Sequence, residues 1–145
     1  MISSTAKYAL RAAVHLGSQH HDFVGRMEIA EATLVPVDYL LKVLNELVTA
    51  RLVESRPGPG GGYRLTKSPD VMTALEVVRA VDAIPRITEC PLGISEHEKL
   101  CPLHKLLDDA SRLVEEAFHS ATISDLIPGR KRSKTCDFPQ KRPAS

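Results

Sequence analysis

Residues 52–65 read LVESRPGPGGGYRL. Two short strand-like runs flank a turn in which Gly58, Gly60, Gly61 and Gly62 alternate with or follow Pro57 and Pro59, so half of the eight glycines of the chain fall in five positions. Glycine is used at that density where the backbone must take angles other residues avoid, which predicts a β-hairpin with a tight tip. Two short amphipathic helical patterns precede it. Helix, turn, helix, hairpin is the order of elements in a winged-helix DNA-binding domain, and this order decides the fold expected here.

Upstream, Ser3-Ser4-Thr5 offers a helix N-cap, and Tyr8, Ala9, Ala12, Ala13 and Leu16 recur at helical spacing until Gly17, where the first helix is expected to stop. A second short helix is expected from Arg26 to Leu34 on Met27, Ile29, Ala30 and Leu34, ended by Val35-Pro36. Asp38 is placed to cap a third, whose Leu40, Leu41, Val43, Leu44, Leu47 and Val48 share one face and leave Tyr39, Lys42, Asn45, Glu46 and Thr49 on the other.

Downstream, Met72 to Ala83 reads as an amphipathic helix with Val77, Val78 and Val81 inward, closed by Pro85. The stretch from Ile87 to Leu100 is expected to be a loop. Pro102 stands where helices favour a first-turn proline, and Leu103, Leu106, Leu107, Ala110, Leu113, Val114, Ala117 and Phe118 then run at spacings of three and four. So long an apolar stripe, on an appendage too small for its own core, predicts a partner helix and hence a homodimer. The expected division is 1–83, winged helix; 84–101, a cysteine-containing sensor loop; 102–127, the dimerisation helix and its end; and 128–145, a basic disordered tail. The fold class is mainly α with a small β-hairpin.

The composition agrees. Of 145 residues 43% are apolar but only 4% aromatic, with no Trp, so the core must be built from Leu, Val and Ala. No apolar run reaches the ~18 residues of a membrane span, and Lys7, Arg11 and His15 interrupt the first seventeen residues, unlike a signal peptide. A cytoplasmic protein without a membrane partner is expected. Three cysteines, an odd count, speak for thiol or metal chemistry in a reducing compartment. The formal net charge of +1 divides into +2 for residues 1–67, −6 for 68–127 and +5 for 128–145.

For DNA, the third helix would present Asp38, Tyr39 and Lys42 to the major groove, with its packed face behind. The wing would bring Gly60 and Gly61 close to the backbone and let Arg56 and Arg64 reach phosphates. Ser4, Thr5 and Lys7 are further candidates, because the free amides of a helix N-terminus bind phosphate. A catalytic site is not expected: Cys101 and His104 supply a nucleophile and a base, but the loop offers no scaffold for a substrate pocket. The competing class, a winged helix that binds protein, would not need Lys42, Arg56 and Arg64 to point the same way.

TAKYALRAAVHL, the IA of MEIAEATL, VDYLLKVLNELVTARLVESR and above all GPGGGYRL resemble the Rrf-two family of winged-helix transcription regulators over roughly residues 1 to 120. The resemblance implies a winged helix-turn-helix with a long dimerisation helix and sequence-specific binding to a pseudo-palindromic promoter site, with repression the expected outcome. One position departs: the residue directly before GPGGGY is often Arg in the family and is Pro57 here, with Arg56 one place earlier.

Family members with iron-sulfur clusters carry three cysteines before the long helix. Here Cys90, Cys101 and His104 match cluster-ligand positions, the middle cysteine is missing, and His97 falls in the gap. Other members take a carboxylate from the partner's first helix, where this chain has Lys7. If Cys101 caps the helix at Pro102, the positive end of the helix dipole favours its thiolate. The residues leave four alternatives: a 2Fe–2S cluster, zinc on the same ligands, a Cys90–Cys101 thiol switch with no cofactor, or packing alone. Cys136 and the remaining histidines, His15, His20, His21 and His119, are read as having no ligand role and as surface or partly packed residues.

Overall fold

The computed structural model describes residues 2–87 and 101–129. The element order is α1 (Ser4–Ser18), α2 (Arg26–Thr33), α3 (Val37–Thr49), β1 (Val53–Arg56), β2 (Gly62–Leu65), α4 (Ala74–Val81) and α5 (Pro102–Ser120), followed by a short 3-10 turn, Ser124–Leu126. The expected tail and most of the expected sensor loop, with Cys90, His97 and Cys136, lie outside the described residues.

Helix α1 is the centre of the body and touches α2, α3, α4 and β2. Its Ala6, Ala9, Ala12 and Ala13 are all but sealed from solvent, and such small side chains let neighbouring helices close in. Leu16, Ile29, Leu40, Val43, Leu44, Leu47, Val53, Met72 and Val77 fill the space between the helices. Each such aliphatic side chain contributes roughly 1.5–3 kcal/mol by leaving water.

Local chemistry accounts for most of the boundaries. Ser3 caps α1, its hydroxyl accepting from the Ala6 amide at 3.0 Å. At α4 a reciprocal capping box joins Thr73 and Glu76, so the helix starts at Ala74 and not at Met72, which is fully buried. The helix also stops at Val81, short of the expected Ala83. Lys67 pairs with Glu76, tying the strand exit to α4. The carboxyl of Glu76 is held below its usual range, the lysine and the Thr73 amide outweighing the opposing effect of burial.

Other expectations are corrected. Gly17 does not end α1 but lies buried within it: a Cβ there would come within 2.9 Å of Ile123 Cγ2 and 3.3 Å of Pro69. Its missing side chain therefore serves close packing. Asp38 is not the cap of α3, because Pro36 holds that position and Asp38 lies in the first turn, where a carboxylate favours the helix dipole. In α2 only Ile29 and Ala30 of the expected apolar set are buried, while Met27 is exposed and Leu34, just past the helix end, takes a left-handed φ of 56°. His15 is buried, with Nε2 4.0 Å from a Glu28 carboxylate oxygen.

The chain after α5 returns to the body. Ala74 N donates to Ala121 O and Ile123 N to Met72 O, both at 2.8 Å, and Ser124 N donates to Pro69 O at 2.9 Å. Ile123 is thereby inserted among the core residues with no exposed surface. Ile123, in the segment expected to form the end of the dimerisation helix, is thus part of the same core as α1 and α3.

Candidate nucleic-acid interface

The hairpin pairs Val53 with Leu65, Glu54 with Arg64, Ser55 with Tyr63 and Arg56 with Gly62, leaving residues 57–61 as its tip. Gly58 and Gly60 sit at φ of +86° and +74°, a region that only glycine enters without strain. Gly61 is required for a different reason: a Cβ there would lie 2.1 Å from the Arg56 carbonyl oxygen. The hairpin is fastened to the segment before α2, since Val24 and Tyr63 exchange both backbone hydrogen bonds at 2.9 Å. Gly62 permits that closeness, because its Cβ would stand 2.2 Å from the Val24 carbonyl oxygen.

Behind the wing, α3 buries Leu40, Val43, Leu44 and Leu47 and exposes Asp38, Tyr39, Lys42, Asn45 and Thr49. The division follows the 3.6-residue period of its apolar positions. The Tyr39 ring is half exposed and meets Tyr8 of α1 edge-on, 5.8 Å between centroids. That contact sets the first turn of α1, where Ser4 and Lys7 are exposed and Thr5 partly so, beside the start of α3.

The cations of the body divide into two groups. Arg64 is committed, its Nη2 2.7 Å and Nε 2.8 Å from Glu54 Oε1, with its guanidinium 4.2 Å from the Phe23 ring centroid. Lys67, Arg79 and Arg86 are also in ion pairs. Lys7, Arg11, Arg26, Lys42, Arg51 and Arg56 are exposed and have no ion-pair partner among the described residues. An unpaired cation can take a phosphate without first giving up a carboxylate. Sequence reading singled out Lys7, Lys42 and Arg56 but passed over Arg11, whose guanidinium lies 5.7 Å from the Tyr8 ring centroid. Its position one turn after Lys7 on the same helix was the available signal.

The stripe on α5 is uncovered. No residue of the helix is fully buried, and Leu103, Leu106, Leu107 and Leu113 are about half exposed or more. Leu103, Leu106, Ala110, Leu113 and Ala117 are separated by three, four, three and four residues, the spacing of a coiled-coil seam. Val114 lies elsewhere: with Ser111 and Phe118 it lines a cavity of about 170 Å³ shared with Ile2, Val78 and Ile84. Beside it, Arg86 grips Asp108 through two bonds of 2.7 and 2.9 Å, and the Ile87 amide donates to the same carboxylate at 2.9 Å. These contacts pull the Asp108 carboxyl down to about 2, the Arg86 hydrogen bond being the largest cause.

At the head of α5, Cys101 occupies the N-cap position expected of it, and Pro102 is the first helical residue. Cys101 Sγ lies 3.2 Å from His104 Nδ1. A sulfur and an imidazole nitrogen side by side are donors that both iron and zinc accept, so the pair fits half of a four-ligand set. Among the described residues no group of three His, Cys, Asp or Glu side chains gathers into a metal site. Nor is any helix there long and apolar enough to cross a membrane.

Comparison with known proteins gives this arrangement its relatives. IscR of Erwinia tasmaniensis is 30% identical over 129 residues, covering 87% of this chain and 78% of that one. NsrR of Bacillus licheniformis is 27% identical over 130 residues, covering 87% and 91%. Among solved structures, CymR of B. subtilis, titled the global cysteine regulator, superposes with a TM-score of 0.73 at 26% identity, covering 87% and 95%. IscR of T. potens has the same fold, with a TM-score of 0.72 at 21% identity over 87% and 85%. A family description, Rrf2, iron-dependent transcriptional regulator, matches residues 2–129. With its winged helix, its uncovered long helix and a match over nearly its whole described length, this chain belongs to the Rrf2 family of transcriptional regulators and has no enzymatic role.

Proposed function

We propose that the chain is a cytoplasmic homodimer that binds a pseudo-palindromic operator, represses from it, and changes its affinity with the state of the Cys101 region. The observation that carries this reading is the pairing of two unpaired cations with two reading elements: Lys42 on the exposed face of α3, and Arg56 at the end of β1. In it α3 enters the major groove with Asp38, Tyr39 and Lys42 forward, and the wing follows the phosphates with Arg56, Gly60 and Gly61. Arg64 contributes through the wing's shape, since its charge is already shared with Glu54. Ser4, Thr5 and Lys7 meet the backbone at the start of α1. The dimer seam is Leu103, Leu106, Leu107, Ala110, Leu113 and Ala117, with Val114 supporting it from within the subunit.

Fluorescence anisotropy against operator and scrambled duplexes at several salt concentrations tests the DNA reading. Lys42→Ala should weaken operator binding by about 1–3 kcal/mol and blunt discrimination between bases. Arg56→Ala should weaken both duplexes alike and lower the salt slope by about one. Affinity unchanged by both substitutions, or indifferent to salt, defeats the assignment in favour of a protein-binding winged helix.

For sensing, the donor set of Cys90, His97, Cys101 and His104 is our ligand assignment, with two sulfurs and two imidazoles, a combination known to hold a 2Fe–2S centre. Zinc, or a Cys90–Cys101 disulfide, would use the same side chains. When bound, a cluster supplies a one-electron redox change; the chain's own residues hold it and join it to α5. Anaerobic purification with visible absorption and iron, sulfide and zinc analysis separates these cases. Cys90→Ser or Cys101→Ser should fix operator affinity at one value under oxidising, reducing and metal-stripped conditions, whereas Cys136→Ser should leave the response intact. A wild-type affinity that is the same in all three conditions rules the sensor out.

A further inference from the structure

Pro57 stands directly before GPGGGY, and a proline offers neither a side-chain charge nor an amide to a phosphate. Proline also restricts the residue before it to extended conformations, and Arg56 is indeed the last residue of β1. Its cross-strand partner is Gly62, which has no side chain to pack on. An exposed arginine on a hairpin end would ordinarily sweep a large volume, with its charge spread over many rotamers.

Another residue fills the gap. Gly62 lets the Val24 backbone approach to a distance no Cβ would tolerate, and the Val24–Tyr63 hydrogen bonds fix that approach. The neighbouring Phe23 is thereby brought to the side of the hairpin that carries residues 54, 56, 62 and 64, which alternate onto one face. Two guanidinium groups gather at its ring: Arg64 with its central carbon 4.2 Å from the centroid, and Arg56 at 5.7 Å. Both lie within the range at which an aromatic quadrupole attracts a cation. Two cations at one ring would repel each other, but Glu54 neutralises Arg64 and leaves Arg56 the unpaired one.

We infer that Phe23 is a positioning residue for DNA binding: its ring, walled on one side by the Arg64–Glu54 pair, holds the Arg56 guanidinium at the wing as the phosphate contact that Pro57 cannot make. This rests on the DNA reading above. Phe23 itself need not touch the nucleic acid. Its part is to reduce the freedom Arg56 loses on binding, so that less of the phosphate attraction is spent on ordering the side chain.

A double-mutant cycle on the full chain tests this, with affinity for operator and scrambled duplex measured at matched ionic strength. Phe23→Leu should weaken both duplexes about two- to fivefold, the scale of an exposed cation–π contact, and Phe23→Tyr should restore binding. In an Arg56→Ala background Phe23→Leu should do nothing further, since the group it positions is gone. In the free protein, the Arg56 side-chain Nε–H resonance should carry a ring-current shift that Phe23→Leu removes and Phe23→Tyr keeps. This last measurement also separates loss of the platform from unfolding, because the remaining amide spectrum should be preserved. If the loss in Phe23→Leu is equally large without Arg56, or tyrosine does not restore binding, the inference is overturned. A wild-type chain with no salt-dependent affinity for duplex DNA overturns the DNA reading itself; wild-type binding that survives Phe23→Leu unchanged overturns only the platform.

Discussion

Leu106→Asp combined with Leu113→Asp should turn the protein into monomers and abolish measurable operator binding. Both leucines are more than half exposed on α5, at 65% and 58%, and Leu103 and Leu107 of the same helix are exposed with them. They lie seven residues apart with Ala110 between them, so a partner helix would meet them on one line. Two carboxylates in that seam would have to be desolvated without a cation opposite, at a cost of several kcal/mol. Since about 1.4 kcal/mol is a factor of ten, the dimer dissociation constant should rise at least about 100-fold. Sedimentation velocity at micromolar concentration should then show a 15.9 kDa species. The helix itself should persist, because Asp108 stays clamped by Arg86 and the Ile87 amide. A dimer that survives the double change would place the interface elsewhere, and the circular dichroism of the variant would show whether the chain had kept its helices.

Ile123→Ala should destabilise the whole winged-helix body, by about 2–5 kcal/mol for a fully buried aliphatic truncated to Ala. Ile123 sits beyond the end of α5 yet has no exposed surface, and its Cγ2 lies against Gly17 in the last turn of α1. The truncation leaves a space that Gly17 cannot fill, having no side chain, and that the backbone bonds from Ile123 to Met72 and Ser124 to Pro69 keep from collapsing. The expected result is a lower urea midpoint with an unchanged m-value, in one cooperative transition. If α5 and the segment after it were a separate unit, the variant would instead loosen them alone, and two transitions or a local loss of exchange protection at residues 121–127 would appear. The prediction bears on function as well as stability. The same segment fastens the end of α5 to the entry of α4, and the Lys67–Glu76 ion pair joins α4 to the chain leaving the wing.

Elements whose causes are local are legible in the chain before it folds. Four glycines in five residues can only be a tip with unusual backbone angles; the apolar period of residues 40–47 gives α3 its buried and exposed faces; Pro102 begins α5 because a first-turn residue needs no amide bond. Each of these is written within a few neighbouring residues, and the TxxE box at Thr73 and Glu76 was legible by the same rule although periodicity alone placed the start at Met72. Tertiary structure decided what depends on residues far apart in the chain. Gly17 reads as a helix stop until Ile123, more than a hundred residues later, is found against it. Arg64 reads as a free phosphate ligand until Glu54 and Phe23 are seen to hold it, whereas Arg56 has no carboxylate opposite. Val114 belongs by spacing to the outward stripe and by packing to the cavity under α5. The difference is physical: backbone angles and helical period are set by short-range sterics and hydrogen bonds, whereas which cation is neutralised and which face is covered are set by side chains that only the folded chain brings together.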